Sequence, residues 1–407
     1  MLFSQFHRES GSISFCPWHS LLLLSLLLPD TDTMNKSLES RALAAGAGGC
    51  LIIDLHALAD NYRLLSTRAG HALTGAVVKA DAYGLGAIEV SATLYKAGCR
   101  HFFVALANEA FDLRPHLPAN AALYVLNGLP PGCETTCADQ NIIPVLNSLS
   151  QIARWRDVAR ARGLRLPAVV QFDTGMARLG LSPEETGILT ASPEILSALD
   201  VKFIMSHLAC ADTPDDTANA GQLAHMDKVS TLFPGIPVSF ANSGGLFLGP
   251  DFLQHLTRPG IALYGGAPND KGTNPMRPVI SLYAAVIQTR VVPAGAKIGY
   301  GGTYQAPHDM RLATISAGYA DGLPRSLSPR GAAWLGDICL PIVGRISMDS
   351  LMIDISALPH DLPDGSFVEL IGPHQPIDTI AVDAGTIAYE ILTRLGRRFH
   401  REYAGLE

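Results

Sequence analysis

What the chain lacks narrows it first. It has no basic stripe: 30 Lys and Arg against 37 Asp and Glu leave a formal charge of -7, and the cations are spread along the chain rather than bunched. A phosphodiester backbone needs a concentrated positive face, so no nucleic-acid partner is expected. Cysteine is scarce and unpatterned. Cys16, Cys50, Cys99, Cys133, Cys137, Cys210 and Cys339 are an odd number in a chain too large to need disulfide staples, and they read as reduced, mostly buried thiols. Cys133 and Cys137 have no second Cys or His pair at zinc spacing, so no metal site is expected. No apolar run is long enough to span a bilayer, and no internal repeat or low-complexity block appears.

The longest apolar stretch near the start, Leu21–Leu28, follows Arg8 and has the look of a signal-peptide core. Asp30 and Asp32 come directly after it, with no small-residue cleavage site close behind, and Met34 opens a polar segment. Residues 1–48 are therefore expected to be a disordered or signal-like extension. An over-extended start and a cytoplasmic protein are favoured over export to the periplasm.

At 407 residues and 48% hydrophobic content the chain exceeds what one core usually holds, roughly 250 to 300 residues, so two domains are expected. After a lead strand at Leu51–Leu55, short β-branched or aromatic runs alternate with helix-period stretches. The runs are Ala76–Lys79, Phe102–Ala105, Leu123–Leu126, Ile142–Leu146, Val169–Asp173, Phe203–His207, Val238–Asn242 and Leu253–Arg258. Eight strands with helical connections predict an α/β fold, an N-terminal (β/α)8 TIM barrel over residues 49–277. Ser148–Arg162 exemplifies the connections, with a Ser cap before it and Gly163 after it. From Pro278 the helical period fades. Runs at Leu282–Val291, Leu312–Ser316, Ile342–Val343, Ser350–Ile355 and Phe367–Ile371 predict a mainly β domain over 278–407, closed by a helix at Thr379–Leu395.

Active sites of such barrels form at the carboxyl ends of the strands. Lys79 ends the first run inside VVKADAYGLG, where partial burial would lower its pKa and let it form a Schiff base with an aldehyde. A strand-end lysine is usually a snorkelling surface residue, but the Gly84 and Gly86 turn and Tyr83 suggest that something large approaches. The turn Ser243–Gly245 exposes a hydroxyl and backbone donors that suit a phosphate. The eighth run ends at Arg258, and Pro259, Gly260 and Ile261 can start a short helix in the region where barrels commonly bind phosphate.

Nine segments in order, VVKADAYGLG, FDTGMARLG, SHLACAD, NSGG, RPGIALYGG, IGYGGTY, SAGYADG, IVGRISMD and AYEILTRLG, carry a resemblance to the alanine racemase family, whose fold type III members depend on pyridoxal phosphate (PLP). The resemblance covers nearly all of Cys50–Glu407. It implies interconversion of L- and D-alanine with PLP carried on Lys79, two opposed bases acting on the two faces of the α-carbon, and Tyr300 as the second base. It places Tyr83, Ser243, Gly260, Ile261 and Tyr389 at the cofactor's phosphate, Arg258 at its ring nitrogen and His207 beside the ring. It assigns Arg178 to the substrate carboxylate. Tyr300, Tyr319, Met348 and Asp349 match positions that reach the barrel mouth of a second subunit, so a homodimer with shared sites is implied. D-alanine from such an enzyme would serve peptidoglycan, or the enzyme would degrade alanine. A guanidinium does not give up its proton, so Arg258 would leave the ring nitrogen largely unprotonated and the carbanion short-lived.

This chain departs from the family pattern at Gln171, where many members have a carbamylated lysine that orients the residue equivalent to Arg178; an amide is the weaker partner for a guanidinium. Leu85 and Ser347 also differ, as local packing changes. Two alternatives stay open on sequence: a racemase of broader amino-acid specificity on the same fold, and a non-catalytic PLP-binding protein, against which the second domain speaks.

Overall fold

The computed structural model describes residues 40–405, Pro329 excepted, so Leu21–Leu28 and the segment around Met34 lie outside the described residues. The parallel sheet runs through His101–Val104, Ala122–Val125, Ile142–Leu146, Leu166–Gln171, Leu199–Met205, Val238–Ser239 and Leu256–Thr257, each hydrogen-bonded to the next. The first barrel strand comes in two pieces. Leu73–Thr74 pairs with Leu256–Thr257 and Ala76–Val77 pairs with His101–Val104, so the two ends of the sheet meet at Gly75. Gly75 donates to the Thr257 carbonyl at 2.9 Å. A Cβ there would lie 2.8 Å from the Phe103 ring and 3.0 Å from the His101 carbonyl, which is why this junction takes glycine.

The lumen is filled. Phe103 stacks on Tyr124 at 4.6 Å between centroids, and Tyr124 reaches Phe203 of the non-adjacent sixth strand at 5.4 Å, a contact that must cross the interior. Around the sheet, Leu149–Arg162 shows how sequence sets a helix: the Ser148 hydroxyl accepts from Gln151 N, and Gly163 stops the helix in the left-handed region at φ 62°.

The second domain is built on the 13-residue strand Ile280–Val292. Its first half pairs with Gly49–Asp54 and Phe367–Ile371, and its second half with Met310–Ile315, which in turn pairs with Leu351–Asp354. The expected fold, a barrel followed by a mainly β domain, is the one found. The lead strand, however, precedes the barrel in the chain and joins the other sheet, flanked by Ile280–Val292 and, in parallel, by His400–Ala404.

Three local expectations need correction. Ile342–Val343 is not a strand but a single bridge, Ile342 to Ile353, beside the hairpin Ala332–Leu335/Ile338–Pro341. The closing helix is two helices, Ile377–Ala384 and Ala388–Arg394, parted where Gly385 adopts φ 69°. Of the six described cysteines, all free, only Cys50, Cys99 and Cys137 are buried. Among the described residues no helix is long and apolar enough to cross a membrane.

Replacing Ser148 by alanine removes one capped N–H and should lower the unfolding free energy by about 1 kcal/mol. A urea midpoint equal to the parent's would show that the cap contributes nothing.

Candidate active site

The site begins with backbone strain. The first strand ends at Val77, not at Lys79 as expected, and Lys79 opens a turn in which Ala80, Asp81, Ala82 and Tyr83 all have φ between 52° and 57°. Each non-glycine residue in this left-handed conformation costs about 1–2 kcal/mol, and runs of them are rare. Contacts from three directions hold the turn. The Glu109 carboxylate accepts from Ala80 N at 2.6 Å. From the last strand of the second domain, Arg401 donates to the Gly84 carbonyl at 2.6 Å and the Tyr403 hydroxyl to the Leu85 carbonyl at 3.0 Å. Helix Ala388–Arg394 packs so close that a Cβ on Gly84 would lie 2.9 Å from the Leu392 carbonyl.

Lys79 faces a cavity of about 910 Å³ at the carboxyl ends of the strands, which Tyr83, Arg178, His207, Ser243, Arg258, Gly260 and Tyr389 also line. Burial lowers the Lys79 pKa, Arg178 lowers it further, and Glu109 opposes them, so the amine is easier to find unprotonated than a surface lysine. Arg178 is presented by a loop that Asp173 organises: its Oδ1 accepts from Gly175, Met176 and Ala177 N, and Phe172 bridges to Leu181 across the loop's base. Gln171 is buried below and donates to the Leu179 carbonyl at 3.3 Å, with no hydrogen bond to Arg178 among the described residues.

Arg258 is buried and, among the described residues, held by neutral acceptors only: the Ser239 hydroxyl, the Ser206 carbonyl at 2.7 Å and the Phe240 carbonyl at 3.4 Å. Burial pulls its pKa down to about 9, still above neutrality, so an uncompensated positive charge stands at the cavity wall. His207 is driven down to about 3 by burial, then by Arg258, Arg178 and Lys79, and is neutral near pH 7.

At the other end, the buried Ser243 hydroxyl accepts from Gly260 N at 2.9 Å and Ala262 N at 3.3 Å. The Tyr83 hydroxyl sits over Gly260, where a Cβ would come within 2.3 Å of it, and the Tyr83 ring lies 5.9 Å from that of Tyr389. Burial raises both phenols, Tyr83 far above its ordinary value and Tyr389 to about 12, so both remain O–H donors. Ile261 is buried at the start of the expected short helix, Ile261–Tyr264, behind this cradle. Two hydroxyl-bearing rings, a serine and a glycine backbone suit a phosphate; an amine of lowered proton affinity in the same cavity suits an aldehyde.

Four expected residues are not brought to this cavity. Tyr300, Tyr319 and Met348 are 70, 45 and 53% exposed on the second domain, and Asp349 pairs there with Arg398 at 2.7 Å. Conversely, Glu109, Arg401 and Tyr403 escaped the sequence reading. Glu109 left only a faint capping pattern, and His400–Ala404 has no clear alternation to announce a strand.

The His207 shift fixes the sign of one pH effect. An unfolded histidine takes a proton near pH 6.5 and the folded one resists until about 3, so stability present above 6.5 is lost as pH falls through that window. The slope of Tm against pH there should be shallower in His207→Gln; parallel slopes would show that His207 titrates normally.

Comparison with known proteins agrees with this geometry. Residues 53–268 match the family model for the alanine racemase N-terminal domain, and residues 279–403 that for its C-terminal domain. A catabolic alanine racemase of Agrobacterium fabrum is 60% identical over 91% of this chain and 96% of its own length; one of Rhizobium johnstonii is 55% identical over 92 and 100%. Among solved structures, alanine racemase from Bartonella henselae, with covalently bound pyridoxal phosphate, superposes with a TM-score of 0.85 at 44% identity, covering 88% of this chain and 99% of that one. On a barrel whose strand ends gather a lysine, two arginines and a hydroxyl cradle, and with both domains matched, this chain belongs to the alanine racemase family of isomerases.

Proposed function

We propose that the chain racemises alanine with Lys79 and Tyr300 as opposed bases, in sites completed by a second copy of itself. The observation that carries this is the convergence of Lys79, Arg178 and Arg258 with the Ser243/Tyr83/Gly260 cradle in one cavity, while Tyr300 stands exposed elsewhere.

The cavity fits the cofactor that the Bartonella structure binds covalently: Gly260 carries no side chain, so the Tyr83 hydroxyl seats directly over its backbone, and the Tyr83 and Tyr389 hydroxyls remain donors. Lys79 would hold pyridoxal phosphate, Tyr83, Ser243, Gly260, Ile261 and Tyr389 its phosphate, and Arg258 its ring nitrogen, with His207 beside the ring. Bound there, the cofactor supplies an electron sink that acidifies the substrate's α-carbon. Lys79 Nζ, deprotonated readily because it is buried beside Arg178, moves a proton on one face. Tyr300 Oη of the second copy moves one on the other, and Arg178 orients the carboxylate. Tyr319, Met348 and Asp349 would close the mouth from the same side as Tyr300 and exclude water and larger side chains.

The domain limits 49–277 and 278–407 suit a barrel that binds and a β domain that delivers, except that Gly49–Asp54 pairs into the second sheet and Tyr389 reaches the cradle from the second domain. The word catabolic in the names of the Agrobacterium and Rhizobium relatives favours alanine breakdown over supply of D-alanine to peptidoglycan. A cytoplasmic site of action is supported by the acidic residues directly behind Leu21–Leu28.

Lys79→Ala and Tyr300→Phe should each abolish most activity, yet a co-refolded mixture should recover about a quarter of the parent's sites, because one site of each mixed dimer escapes both changes. Absence of recovery, with mixed dimers confirmed by native mass spectrometry, would place both bases in one chain.

A further inference from the structure

Glu109 makes more bonds than a helix cap needs. As the third residue of Ala107–Leu113 it reaches back to Leu106 N at 3.1 Å, which is the ordinary duty of a glutamate at that position. The same oxygen, Oε2, also accepts from Ala105 N at 2.7 Å, at the exit of the second barrel strand. The other, Oε1, accepts from Ala80 N at 2.6 Å, the peptide that directly follows Lys79. One carboxylate thus ties the exits of two adjacent strands together at the first residue of the left-handed turn. It accepts only, and it is filled on both oxygens. Other titratable groups around Lys79 are Arg178, His207 and Tyr83, with Tyr389 and Glu390 from helix Ala388–Arg394; Arg178 and Glu109 act on it with opposite sign.

We propose that Glu109 is a positioning residue for Lys79: its carboxylate braces the left-handed turn so that the lysine nitrogen is presented to the cavity. The inference rests on the reading that Lys79 holds the cofactor. An amide cannot substitute, since whichever way it turned, its NH2 would face a backbone N–H.

The test compares parent, Glu109→Gln, Glu109→Asp and Lys79→Ala holoenzymes by kcat, KM for alanine and the pH titration of the cofactor's visible absorbance. Glu109→Gln should lower kcat about 10- to 100-fold with KM within about threefold, as expected for a misplaced reacting group. Its absorbance midpoint should move to lower pH, because the lost carboxylate favoured the protonated nitrogen. Glu109→Asp keeps the charge and gives up the reach, so its midpoint should stay near the parent's while kcat stays low. A parent-like kcat in both variants overturns the proposal, as does a lowered kcat with an unmoved midpoint in Glu109→Gln, which would reduce Glu109 to a helix cap. If Glu109→Gln cannot be recovered folded, Glu109→Asp decides on the split between kcat and KM: a lowered kcat with KM within about threefold supports the proposal, and a parent-like kcat, or kcat and KM impaired together, overturns it. A Lys79→Ala enzyme that keeps the visible band and the activity defeats the underlying reading instead.

Discussion

Everything at the barrel mouth depends on a turn that the backbone would not adopt unaided. Four successive residues in the left-handed region, Ala80–Tyr83, swing Lys79 off the strand and set Tyr83 over Gly260. Because the cost accumulates with every residue, the turn persists only where its surroundings over-determine it. Those surroundings are distributed: a carboxylate from the barrel, two side chains from the last strand of the second domain, and the close backbone of helix Ala388–Arg394. The second domain therefore does more than carry exposed tyrosines outward; it clamps its own chain's lysine.

Electrostatics follow from the same enclosure. Arg258 and Arg178 have no carboxylate hydrogen-bonded to them among the described residues, so their charges act on the cavity rather than on partners. Burial lowers the proton affinity of both His207 and Lys79 and the arginine charges lower it further, so His207 is kept neutral and Lys79 is pushed toward its free amine. A cavity with this bias favours groups that arrive as anions and bases that work unprotonated.

The barrel was legible in local patterns of the sequence, whereas much of the cluster at its mouth, including Arg178, His207 and Tyr389, came from the resemblance of nine ordered segments to a known family. Strand spacing, Ser148 and Gly163 around a helix, and motif order through Arg258 to Ile261 all concern neighbours in the chain. Several expected strands nevertheless ran past their true ends, to Lys79, Asp173, His207, Asn242 and Arg258, where the ladders stop at Val77, Gln171, Met205, Ser239 and Thr257. An extended, apolar-flanked residue looks the same before and after the last ladder bond, and here Lys79, His207, Asn242 and Arg258, just beyond it, line the cavity. What stayed hidden depends on distant partners. Nothing near Gly49–Asp54 says that it joins the second sheet, nothing in HREYA marks a strand, and the link from Glu109 to Ala80 exists only once two strand exits are side by side.

The pairing of Gly49–Asp54 with His400–Ala404 has a temporal side. A ribosome delivers the first of these strands long before the second, so throughout synthesis one edge of the earlier strand waits without its partner. Arg401 and Tyr403 arrive on that late strand, and with them the last grip on the lysine turn. Every barrel strand is made before His400–Ala404, so the Lys79 turn takes its final hold only after that strand has been made and paired.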